Sequence, residues 1–152
     1  MPHFALTPEN LVAFCQRQNF QYELKGPRGP IGIQYQLLGV PTPLTLIPWE
    51  DRPMLTLAMT LPFKVPPAQK TAVSAALVTL NSMSYMGTWV LNTEKAEIYF
   101  RDTLITLDNQ YSDEGLLYVA KVVVSSAEAM ASPLYRIAVE GAPPESILPR
   151  AN

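Results

Sequence analysis

Histidine and cysteine each occur once, as His3 and Cys15, and Asp, Glu, Lys and Arg together make up only 16% of the 152 residues. A single histidine near the chain start gives a Ser-His-Asp or Cys-His arrangement no firmly held base. A single cysteine excludes an intrachain disulfide and any zinc site built from two or four cysteines, and it fits a reducing compartment. The 11 basic residues are dispersed and the formal net charge is −2, so nucleic-acid binding through a basic patch is disfavoured. No basic segment followed by an apolar run opens the chain, because Pro8, Glu9 and Asn10 interrupt it, and a cytoplasmic location is expected. Residues 71–93 carry no charge, yet Ser74, Thr79, Asn81, Ser82, Ser84 and Gly87 make one side polar, so no membrane insertion is expected.

What is present is apolar. A hydrophobic content of 48% supports one packed domain, expected over residues 1–140 and followed by a loosely ordered tail at 141–152. Against a usual charged share of roughly 25%, so little charge implies a surface partly covered by something other than water, such as a second subunit. The 15 prolines, about twice the usual ~5%, punctuate the chain into short elements with abrupt ends.

Thr7-Pro8-Glu9 starts a helix by capping hydroxyl, first-turn proline and first-turn acid, and the spacing of Leu11, Val12, Phe14 and Cys15 carries it over 8–19. Alternation at Ile31, Ile33, Tyr35 and Leu37 predicts a strand over 31–37, followed by strands over 44–49 and 54–61, the last closed by Pro62, Pro66 and Pro67. Period 3.6 then takes over: Ala72, Val73, Ala76, Leu77, Leu80 and Met83 share one face of a helix over 67–84. That helix is either core within its own domain or packed by a second face on a partner. Strands over 88–91 and 97–107 form a hairpin about Asn92-Thr-Glu-Lys95. Ser112-Asp113-Glu114 starts a third helix that is expected to end near Pro133, with a short element possible at 134–139. The fold class is therefore α+β, an antiparallel sheet of about five strands with helices in the order α-βββ-α-ββ-α.

Leu80-Asn81, Gly87-Thr-Trp-Val-Leu91, the turn, Glu97-Ile-Tyr-Phe-Arg101-Asp-Thr-Leu104 and the Ser112 cap together resemble the YbjN family, whose fold is similar to that of the type III secretion chaperones. In that family an asparagine near the end of the middle helix precedes a hairpin and a capped C-terminal helix, the places that Asn81, the hairpin and Ser112 take here. The resemblance spans residues 7–136. It implies a domain that binds peptides or protein segments, often as a homodimer, with no catalytic residues to carry over.

Acid pairs at Glu50-Asp51 and Asp113-Glu114, and Glu94 with Glu97, are the candidates for acid–base work. Each has a structural explanation in a strand connection, a helix start or a hairpin turn, and no histidine, metal cluster or activated nucleophile accompanies them. Cys15 reads as a small core hydrophobe within the helical stripe, and the glycines at 26, 29 and 32 as turn glycines without phosphate-loop spacing. No cofactor and no metal are expected.

Sheet alternation is more informative. If Ile31, Ile33, Tyr35, Leu37, Leu44, Leu46, Leu55, Leu57, Ile98 and Phe100 face the helices, a mixed set faces away. Within it, Gln34, Gln36, Trp49, Met54, Tyr99 and Arg101 have the composition enriched at interfaces and are the expected partner-binding residues. Val73, Ala76, Leu77 and Leu80 of the charge-poor helix are the expected dimer interface. The reading is a non-enzymatic, chaperone-like or regulatory protein that binds a protein or peptide segment as a homodimer. The alternative is a small-molecule sensor with a pocket between sheet and helices.

Overall fold

The computed structural model describes residues 2–149. Its centre is a six-stranded antiparallel sheet in the order β2-β3-β6-β7-β9-β8, comprising β2 (Tyr22–Leu24), β3 (Ile31–Ile33), β6 (Leu44–Pro48), β7 (Met54–Lys64), β8 (Thr88–Asn92) and β9 (Glu97–Ile105). Two small ribbons flank it: β1 (His3–Ala5) with β10 (Gln110–Ser112), and β4 (Gln36–Leu37) with β5 (Val40–Pro41). Three helices, α1 (Pro8–Arg17), α2 (Lys70–Met83) and α3 (Asp113–Ala138), complete the α+β architecture expected from the sequence.

The helix starts follow the local signals. Thr7 Oγ1 accepts from Asn10 N at 3.2 Å with Pro8 in the first turn of α1, and Ser112 Oγ accepts from Gly115 N at 3.1 Å at the start of α3. The end of α3 departs from expectation, because the helix continues through Pro133 to Ala138. Proline removes the N–H that would serve the Ala129 carbonyl, but Ala129 is exposed to water, while Leu134, Ile137 and Ala138 are fully buried and hold the last turns down. Leu134 and Ile137 each contribute roughly 1.5–3 kcal/mol, enough to offset one lost helical bond.

Three further expectations are corrected. The strand over 31–37 breaks after Ile33, and Gln36 and Leu37 turn back through Leu38 (φ 52°) and Gly39 (φ 73°) to pair with Pro41 and Val40. Leu37 is thereby 4% exposed, a burial that a straight strand leaving the sheet would not provide. β7 runs past Pro62 to Lys64, since its register with β9 shifts between Thr60 and Lys64, and a proline inside such an irregularity need not donate to the ladder. The tail expected to be loose carries a 3-10 turn, Pro144–Ile147, whose Ile147 is 5% exposed within the core. Residues 150–152 of that tail lie outside the described residues.

Register divides the sheet into two faces. Leu44, Met59, Phe100 and Trp89 stand in one cross-strand row and Leu46 and Leu57 in another, all buried against the helices. The bottom of this layer is closed by α1, whose Leu11, Phe14 and Cys15 are fully buried. Arg17 locks the end of α1 to the start of α3 through two bonds to Asp113, of 2.6 and 2.7 Å, with its guanidinium 4.1 Å above the Phe4 ring.

Candidate binding surface

Thr45, Ile47, Trp49, Met54, Ala58, Tyr99, Arg101, Thr103 and Ile105 lie on the other face of the sheet, and none of them is buried. Alternation puts them there: Thr45 pairs with Ala58 and Ala58 with Arg101, one residue out of step with the core rows. Thr56 alone among the side chains of the central strands is buried on this face. The Trp49 indole N–H donates to Thr56 Oγ1 at 2.9 Å, and Thr56 and Thr103 hydroxyls lie 3.3 Å apart. The indole is thus held down over the sheet while 44% of Trp49 stays exposed.

Around it lies an apolar strip. Ile47 is 37% exposed and Ile105 72% exposed, and Met54 is the cross-strand partner of Ile105. Four of the six expected partner-binding residues, Trp49, Met54, Tyr99 and Arg101, share this face. Gln34 and Gln36 do not join them, because the chain has left the sheet by that point. They line a groove with Glu23, Tyr35, Pro41 and Thr42 beside the β4–β5 ribbon. Sequence reasoning overlooked β2 altogether, and with it Glu23, which stands in the same cross-strand row as Thr45 and Arg101 through Gly32. Three alternating residues, Tyr22-Glu23-Leu24, are too short a run to signal a strand on their own.

The expected dimer residues are corrected by burial. Val73 and Ala76 are fully buried, Leu77 is 4% exposed and Leu80 7% exposed, all packed into the core of their own chain. The outer face of α2 carries Thr71, Ser74, Ala75 and Val78 instead. Periodicity locates an apolar face on a helix but does not say which chain buries it.

The acidic pairs find the structural roles first weighed for them. Asp113 is engaged by Arg17, Glu97 by Lys64 at 2.6 Å, and Glu94 lies exposed in the hairpin turn. Glu50 and Asp51 line an open cleft of about 660 Å³ beside Trp49, where Arg28, Arg52 and Glu9 mix the charge. Among the described residues no group of three or more His, Cys, Asp or Glu side chains is placed to hold a metal ion. Burial pushes the Cys15 thiol up to about 11, which makes it a core group with almost no thiolate at neutral pH. α3 is long and apolar enough to cross a membrane by length and composition, but its Leu116, Val123, Ala127 and Leu134 are buried within the domain.

No known family model matches the sequence, and no curated protein resembles it. The fold does have a counterpart: the crystal structure of YbjN from E. coli, described as a proposed transcription regulator, superposes with a TM-score of 0.64 over 86% of this chain and 96% of that one. At 10% identity the likeness concerns the fold.

Proposed function

We propose that this chain is a non-enzymatic binding protein, chaperone-like or regulatory and cytoplasmic, which docks another protein surface on the outer face of its sheet. The observation that carries the reading is a sheet face that no helix among the described residues covers at Ile47, Trp49 and Ile105, which are 37%, 44% and 72% exposed among uncharged threonines. Such a combination of aromatic, methionine, arginine and hydroxyl groups suits a protein partner, whose own apolar anchors it would bury. The dispersed basic residues favour a regulatory role exerted through protein contacts over one exerted on nucleic acid directly.

The test places a photo-crosslinking amino acid at Ile105 and, as a control, at Tyr118, which is 60% exposed on α3. Discrete protein adducts are expected from position 105, lost on Ile47→Asp, and absent from position 118. Equal labelling from both positions, or none from 105, would count against the reading.

A second reading rests on a groove of about 340 Å³ between α2, β8 and α3, lined by Leu80, Met83, Trp89, Phe100 and Met130 with Ser125 and Ser126. It would admit a small apolar ligand with a hydrogen-bonding end, the sensor alternative. A metabolite screen by thermal shift is expected to find a stabilising ligand that Met130→Arg abolishes.

A further inference from the structure

We infer that the groove between β2 and the β4–β5 ribbon is a binding site for a neutral polyhydroxylated ligand, a short oligosaccharide. The site goes beyond the docking reading above and shares no residue with the surface on which that reading rests.

The groove has a volume of about 570 Å³, within the usual range of small-ligand sites, roughly 300–1,000 Å³. One wall is β2. The Gln34 N–H donates to the Gln21 carbonyl at 2.9 Å, which sets those two residues opposite each other, and Glu23 stands one pleat along β2 from Gln21, opposite Gly32. The other wall is the return of the ribbon, Pro41-Thr42-Pro43. Thr42 is buried, its N–H donates to the Tyr35 carbonyl at 2.8 Å and its hydroxyl to the Val40 carbonyl at 2.9 Å, and the prolines on either side of it have a fixed φ. Pro43 lies over Gly32, where a Cβ would stand 3.4 Å from Pro43 Cβ. Both walls are thus set before a ligand arrives, which lowers the ordering cost of binding.

What the groove lacks selects the ligand. No basic side chain lines it, which disfavours phosphate, carboxylate and nucleic acid, and the single carboxylate of Glu23 gives a metal ion little to hold it. None of its side chains is an exposed large hydrophobe of the kind that anchors a protein partner. What it offers is neutral hydrogen bonding. Gln21, Gln34 and Gln36 are exposed, and none of them makes a side-chain hydrogen bond among the described residues. Each carboxamide both donates and accepts, as a sugar hydroxyl does, and the two oxygens of Glu23 accept from adjacent hydroxyls. Pro41, Pro43 and the half-buried Tyr35 supply apolar surface for the C–H face of a pyranose ring.

Isothermal titration calorimetry with cellotriose, maltotriose and triacetylchitotriose, repeated on Gln34→Ala and Glu23→Ala, tests this. Amide proton–nitrogen shifts locate the site and circular dichroism reports the fold, which both variants are expected to keep because the two positions are exposed. At least one trisaccharide is expected to bind with a dissociation constant of about 1 mM or tighter, to shift the amides of residues 21–23 and 34–36, and to bind about fivefold or more weakly to each variant. No binding by any of the sugars at about 10 mM, shifts confined to other residues, or an affinity unchanged in both variants would each overturn the inference. The same shifts produced by acetyl-trialanine amide, and by none of the sugars, would also overturn it and make the groove a peptide site.

Discussion

Asn81 and Trp89 are joined by a pair of hydrogen bonds: Asn81 Nδ2 donates to the Trp89 carbonyl at 2.9 Å, and the Trp89 N–H donates to Asn81 Oδ1 at 2.8 Å. β8 is the edge strand of the sheet, so outward-facing peptide groups there have no neighbouring strand. The carboxamide supplies the donor and acceptor that such a strand would provide, and it ties the last turn of α2 to the sheet. Asn81→Ala is expected to lose about 2 kcal/mol of stability, two net hydrogen bonds in a half-buried setting, measured by urea unfolding. A loss below about 0.5 kcal/mol would show that water replaces the carboxamide at this edge.

Gly87 enters β8 at φ 74°, and a Cβ there would stand 2.3 Å from Phe100 Cζ. Both the left-handed backbone and the aromatic contact oppose a side chain, and Phe100 is 1% exposed with the Trp89 ring 5.0 Å away and tilted by 57° to it. Gly87→Ala should destabilise the fold by about 2 kcal/mol or more and shift the near-ultraviolet dichroism of Trp89. An unchanged melting temperature would mean that Phe100 re-packs freely.

Asp102 stands in the row of Leu57, on the helix side of the sheet. Its Oδ1 accepts from Thr103 N at 2.8 Å, whereas Oδ2 is buried without a hydrogen-bond partner. An unpaired carboxylate oxygen in that position costs stability, so Asp102→Val is expected to raise stability by about 1 kcal/mol in thermal unfolding. A decrease would show that the bond to Thr103 outweighs the desolvation of Oδ2.

Alkaline pH should unfold the protein in a defined window. Burial pushes the Cys15 thiol from 9.0 up to about 11 and the Tyr111 phenol from 10.0 up to about 12, the phenol also donating to the Asn10 carbonyl at 2.7 Å. Both groups hold their protons more tightly when folded. Their contribution is therefore full below the unfolded values and is lost as pH rises from about 9 to about 12, on the order of 2 kcal/mol for each group. Cys15→Ala should remove the part of the decline that begins near pH 9, as read from urea midpoints against pH. An identical profile in that variant would assign the decline to Tyr111.

Local chemistry in the sequence determined much of this protein. The Thr7 and Ser112 caps, the helical stripe of α2, the Asn92–Lys95 turn and the alternation in β6, β7 and β9 each depend on residues a few positions apart, where propensity and hydrogen bonding act directly. The α+β class and the uncovered side of Trp49, Met54, Tyr99 and Arg101 follow from them. Only the tertiary structure decided what depends on distant partners. It drew His3 into a strand against Ser112, built β2 from three residues because β3 was there to pair with them, and carried α3 through Pro133 because Leu134 and Ile137 had a core to enter. It also settled the owner of the α2 stripe: Val73, Ala76, Leu77 and Leu80 fill their own chain's core. Apolar spacing specifies that a face must be buried, and the same spacing results whether the covering surface comes from this chain or another. The choice is made by how much of the sheet one chain's helices can cover, and here they cover one face.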